Sequence, residues 1–149
     1  MNLNKLFLEH CNDNKYEINQ NQLSIIENLK NFYTDNFQQN FLSKILKKKR
    51  NRLGFYLVGD VGVGKTMILN FFFNTLNEKK LRLHFNEFMI EFHNFIFENK
   101  DKSNSIDLFV KDFSSKAELI YFDEFQVTNI VDAMILGKLF KKIFEEKIK

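Results

Sequence analysis

Residues Gly59-Asp60-Val61-Gly62-Val63-Gly64-Lys65-Thr66 satisfy G-x-x-x-x-G-K-[ST] at every defined position, and they hold three of the chain's five glycines. No other stretch restricts the fold so tightly. The pattern works as a tight loop that leaves a strand and enters a helix. Glycines let the backbone curl through conformations closed to other residues, so that successive N–H groups converge on an anion. Lys65 brings a point charge within reach of β- and γ-phosphates, and the Thr66 hydroxyl is a ligand for Mg²⁺. The N-terminal end of the next helix adds its positive field. All eight residues are therefore candidates for binding the phosphates of a nucleotide.

The flanks suit that reading. Leu53-Gly54-Phe55-Tyr56-Leu57-Val58 is a short apolar run and predicts a buried strand. Met67 to Leu76, with Ile68, Leu69, Phe71, Phe72, Phe73 and Leu76 and no breaker, predicts a largely buried helix.

At 149 residues the chain is long enough for one domain with a core. A net charge of +3 does not by itself call for nucleic acid or an anionic membrane. The one cysteine, Cys11, excludes an internal disulfide framework and fits a reducing compartment. No apolar run approaches the ~18 residues of a spanning helix, and Met1 to His10 lacks the order of a signal peptide. Proline is absent and phenylalanine numbers 19, so single Phe positions carry little weight.

Residues 1–20 show no clean period. Leu23, Ile26, Leu29 or Lys30, and Tyr33 predict a helix from Gln22 to about Phe37, and Phe41 to Lys48 a second one. Lys47-Lys48-Lys49-Arg50-Asn51-Arg52 is a basic cluster, read as a solvated helix end or as a contact for nucleic acid or an acidic partner. Leu81 to Phe85 alternates like a strand, and Asn86 is placed to cap a helix faced by Phe88, Phe92 and Phe95. His84 and His93 fall on different elements without cysteines, which argues against a metal site there. After a polar loop from Glu98 to Ser105, one or two helical turns fit Ile106 to Phe113. Ala117 to Phe122 predicts a second strand ending in Asp123-Glu124, and a strong helical stripe runs from Asn129 through Phe144.

The acidic pair makes hydrolysis plausible. Asp123, at the end of an apolar strand, can organise Mg²⁺ with Thr66, and Glu124 can polarise a water for in-line attack on a γ-phosphate. Nucleotide kinases share the loop but rely on arginines that close over the phosphates. Here Arg50, Arg52 and Arg82 all precede the second acidic strand, which favours an ATPase over a kinase.

Three segments, in order, resemble the ZapE / Afg-like branch of the AAA+ ATPases. Gly54 to Met67 resembles its Walker A region, His84-Phe85-Asn86-Glu87-Phe88-Met89 its intervening segment, and Phe122 to Leu136 its extended Walker B block. Val63 stands where the family often has a basic residue, and Asn129 where it often has Asp. The resemblance implies an α/β P-loop NTPase (AAA+) with a three-layer core around a parallel sheet. An N-terminal helical segment, 1–52, would precede the core, 53–149. It also implies ATP at Gly59 to Thr66, Mg²⁺ at Thr66 and Asp123, and catalytic roles for Glu124 and Lys65. Bacterial members act in the cytoplasm on the FtsZ ring in cell division; mitochondrial members are membrane-associated and linked to protein quality control.

Family members continue past the Walker B helix with a sensor strand, an arginine finger and a C-terminal helical region, so the core is expected to be incomplete at its C-terminus. Without a sensor strand between them, the strands ending at Val58 and Phe122 must pair directly, take a strand from another chain, or leave the fold incomplete. A homo-oligomer or a full-length homologue is the partner this suggests. Two other readings stay open: a catalytically impaired nucleotide-binding or interaction fragment, and a DNA-associated loader ATPase supported by the basic cluster.

Overall fold

A computed structural model describes residues 2–38 and 52–149. The chain forms two compact units, Met1–Leu76 and Asn77–Lys149. The expected helix over 41–48 and the basic residues 47–51 lie outside the described residues.

The first unit contains α1 (Leu3–Asp13), α2 (Gln20–Phe37) and α3 (Lys65–Thr75). Helix α1 falls where no period was read. Its buried residues are Leu3, Phe7 and Cys11, four apart, a stripe one residue wide that the exposed leucines beside it, Leu6 and Leu8, blur. The Asn2 side chain caps it by accepting from Lys5 N–H at 3.2 Å. Phe7 meets Phe71 of α3 edge-on, with ring centroids 5.2 Å apart. Helix α2 opens on a reciprocal cap. Gln22 N–H donates to Asn19 Oδ1 at 2.9 Å, and Asn19 N–H donates to Gln22 Oε1 at 3.2 Å. Its buried residues are Gln22, Ile26, Leu29 and Phe32: Ile26 and Leu29 are buried as the period predicts, while Leu23 and Tyr33 are half-buried and Gln22 and Phe32 take the places beside them.

The strand expected over Leu53 to Val58 is not formed. Apolar composition suits a strand, but a strand exists only through its ladder, and the strand ladder among the described residues does not include this run. Tyr56 and Val58 are exposed. Within the first unit α2 packs on α3, with the Tyr33 and Phe72 rings 6.5 Å apart.

The second unit contains β1 (Lys80–His84), α4 (Phe85–Glu98), α5 (Ser105–Lys116), β2 (Leu119–Asp123) and α6 (Ile130–Glu145). The strands pair in parallel, with Arg82 opposite Tyr121 and His84 opposite Asp123. This two-stranded sheet is the whole of the sheet among the described residues. Helix α4 starts one residue ahead of the expected cap: His84 is the N-cap and Asn86 lies inside the helix. Helix α5 runs for 12 residues, longer than the one or two turns expected. Asn129 caps α6 by accepting from Val131 N–H at 2.8 Å.

Phenylalanines build the core of this unit. Phe88 lies 5.7 Å from Phe109, 5.4 Å from Phe113 and 4.7 Å from Phe122, ring centre to ring centre. Leu139 and Ile143 of α6 complete it. Each such aromatic side chain removes some 150–250 Å² of surface from water, so this cluster is the main hydrophobic contribution of the unit. The chain's last residues join in. Ile148 is buried, Lys149 N–H donates to Glu118 C=O at 2.9 Å, and Ile120 N–H donates to Lys149 C=O at 2.7 Å. Leu119 N–H donates instead to Lys79 C=O, on the β1 side. Alternate residues face opposite edges of a strand, so Lys149 lies along the second edge of β2.

Candidate nucleotide-binding site

Residues 61–64 form a turn that leads directly into α3. Gly62 and Gly64 both have φ of 85°, in the left-handed region that residues with a Cβ avoid. Gly64 is the N-cap of α3 and offers no side chain to the helix, so the first-turn N–H groups have no intrahelical acceptor. The helix begins with Ile68 N–H donating to Gly64 C=O at 3.0 Å. Lys65 folds back over the loop, its Nζ donating to Gly59 C=O at 2.6 Å and Asp60 C=O at 2.5 Å. Thr66 and Asp60 are exposed, and Val61 at the tip is 99% exposed. Gly59, Asp60, Val61, Gly62, Val63, Gly64, Lys65 and Thr66 thus run as one continuous segment through the turn into the first turn of α3, with the Lys65 ammonium folded onto the carbonyls of Gly59 and Asp60.

Asp123 and Glu124 belong to the second unit. Asp123 ends β2, at the C-terminal edge of a parallel sheet, where ligands collect in open α/β folds. Its carboxylate is held by the Arg82 guanidinium, which projects from β1. Tyr121 donates to the other oxygen at 3.4 Å, and Arg82 lies 5.1 Å from the centre of the Tyr121 ring. The hydrogen bond from Arg82 keeps the Asp123 carboxyl below the usual carboxylate range, while burial pushes the Tyr121 phenol up. Glu124 is exposed and has φ of 52°. Left-handed backbone in a residue with a Cβ is costly and often marks a functional position.

Two residues near these groups carry no functional signal in the sequence. Arg82 gave no local sign of a partner 41 positions away. Gln22 is buried, and Asn19-x-x-Gln22 carries the spacing of a reciprocal cap.

A glycine turn that enters a helix N-terminus with a lysine at its first position has the form of a P-loop. The comparison with known families makes this specific. A model described as AFG1-like ATPase matches residues 1–149, and the chain belongs to that family. It is similar to "Cell division protein ZapE" of Escherichia coli K12, with 36% identity over 96 residues, 64% of this chain and 26% of the relative. It is also similar to "Lactation elevated protein 1 homolog B" of Danio rerio, with 38% identity over 104 residues, 62% of this chain and 21% of the relative. The match thus spans about a quarter of each relative's length. No solved structure matches the chain. No helix among the described residues is long and apolar enough to cross a membrane.

Proposed function

We propose that this chain supplies the ATP-binding part of an ATP-hydrolysing AAA+ protein. The observation that carries the reading is the backbone of residues 59–66: two glycines at left-handed φ leading into an uncapped helix start, with Lys65 on the rim. The loop N–H groups bind the phosphate oxygens. Lys65 exchanges its weak carbonyl contacts for the β- and γ-phosphates, a stronger, charge-assisted pairing.

The residues suited to Mg²⁺ are Thr66, through its exposed hydroxyl, and Asp123, whose carboxylate already holds a cationic group in the form of Arg82. These are hard oxygen donors, as Mg²⁺ requires. When bound, the ion offsets charge on the phosphates. Glu124 accepts a proton from, and orients, the attacking water. The three-layer sheet, oligomeric assembly with an arginine supplied by a neighbour, action in the cytoplasm and an FtsZ-ring partner belong to the same proposal. They rest on the resemblance to the ZapE / Afg-like ATPases; the name of the Escherichia coli relative itself speaks only of cell division.

The test is calorimetric titration with Mg-ATP. The parent chain should release or take up heat on binding, and Lys65→Ala should lose at least about a hundredfold in affinity, since a buried or rim charge pairing with phosphate is worth several kcal/mol. Equal affinity in the two proteins would remove the loop from the site.

A further inference from the structure

We propose that Arg82 is a displaceable counter-cation, a residue that competes with a divalent metal ion for the Asp123 carboxylate and so sets how tightly that ion is held. The proposal rests on the reading of Asp123 as a Mg²⁺ ligand and adds the residue that opposes the ion there.

The contact is built into the sheet. In the parallel ladder Arg82 stands opposite Tyr121, and His84 opposite Asp123. Side chains two apart on a strand share a face, so these four residues crowd one side of the sheet at its C-terminal end. The Arg82 side chain passes diagonally over the Tyr121 ring, 5.1 Å from its centre, and donates to Asp123 Oδ2. Tyr121 donates to the other oxygen, Oδ1, at 3.4 Å. Both carboxylate oxygens therefore already have a partner from the chain itself. The two ends of the ion pair differ in depth. The Asp123 side chain is 17% exposed and that of Arg82 is 41% exposed, so the acid is the sheltered group and the guanidinium the one open to water.

Two cations oppose one another on a single carboxylate. Mg²⁺ takes oxygen ligands at about 2.0–2.1 Å in near-octahedral geometry, and a guanidinium on Oδ2 meets that approach with like charge. Deprotonation gives no relief, because an arginine stays charged in proteins. Arg82 must instead swing off Oδ2, and its exposure leaves it water to swing into. Tyr121 is neutral and need only yield a long hydrogen bond. Arg82 thus lowers the affinity of Asp123 for a metal ion, while it keeps the carboxylate ionised and oriented when no ion is bound. A purely structural ion pair would act with the opposite sign: its loss would loosen the strand ends and weaken metal binding.

The test uses Mn²⁺, a paramagnetic substitute for Mg²⁺, and the full chain. Mn²⁺ is titrated in, and broadening of the backbone amide signals of residues 121–124 is followed by NMR. Arg82→Gln removes the charge but keeps a donor for Oδ2, so the strand ends stay tied. It should reach half-broadening at about fivefold lower Mn²⁺ than the parent, the modest value expected of a partly exposed charged pair. Arg82→Met should show the same gain. Lys79→Met deletes an equal charge about 16 Å back along the strand, beyond the Debye length at ordinary ionic strength, and should change the midpoint by less than about twofold. Equal or weaker Mn²⁺ binding in the Arg82 variants, or an equal gain in Lys79→Met, would overturn the proposal and leave Asp123 as a ligand. Equal broadening in Asp123→Asn and the parent, or none at these amides in any of the proteins, would overturn the metal-ligand reading and the proposal with it.

Discussion

The glycine loop and the end of the sheet hold their charged groups in opposite ways. In the loop, shape comes from two glycines at left-handed φ, and Lys65 rests on neutral carbonyl oxygens of its own turn. At the end of β2, shape comes from a strand ladder, and Asp123 is engaged by a full opposite charge, Arg82, with Tyr121 beside it. A carbonyl dipole is a weak competitor for an ammonium group, whereas a guanidinium is a strong one for a carboxylate. The loop cation is therefore ready to change partners, and the strand acid is committed to one. Sites that must admit a polyanion gain from the first arrangement; the second keeps an acid ionised and oriented until something displaces its partner.

Three variants test this contrast, from the largest expected effect to the smallest. Glu124→Gln should leave Mg-ATP affinity in place and reduce whatever turnover the protein supports by about 10²–10⁴-fold, the usual worth of a general base; steady-state phosphate release measures it, and undiminished turnover would strip Glu124 of its role. Gly64→Ala should cost about 1–2 kcal/mol through its left-handed φ, with the new methyl also pressing on Gln22. Urea denaturation reads the loss, and an unaltered midpoint would mean that the turn can be rebuilt without that φ.

Arg82→Ala is expected to have the mildest effect, visible as a change in pH dependence. A carboxyl held below its usual range contributes stability above the unfolded pKa of about 3.9, and that contribution disappears as pH falls through the folded value. The parent should thus exceed Arg82→Ala by a constant margin above about pH 5 and lose that margin below about pH 4. Parallel acid-denaturation curves would show that the Arg82–Asp123 contact does not hold in solution.

The loop was legible in the sequence because its geometry is local: Gly62 and Gly64 set the backbone without help from distant residues. Helix α6 was legible for a similar reason, its apolar residues recurring over four turns. Leu53 to Val58 misled because strand formation depends on a partner that the run itself does not specify. Helix α1 was missed because three buried positions in 11 residues give too faint a period. The Arg82–Asp123 pair depends on the register of two strands, and register is invisible until the ladder is built. Gln22 shows the remaining limit. Its spacing from Asn19 was readable, but its burial against Gly64 comes from the packing of α2 on α3.

The left-handed kink at Glu124 has a geometric corollary. Along a regular strand, neighbouring side chains alternate between faces, so an acid following Asp123 would be sent to the opposite side of the sheet. The kink cancels that rule at a single peptide. Two consecutive carboxylates are thereby steered independently, the first by the ladder beneath it and the second by the chain's change of direction.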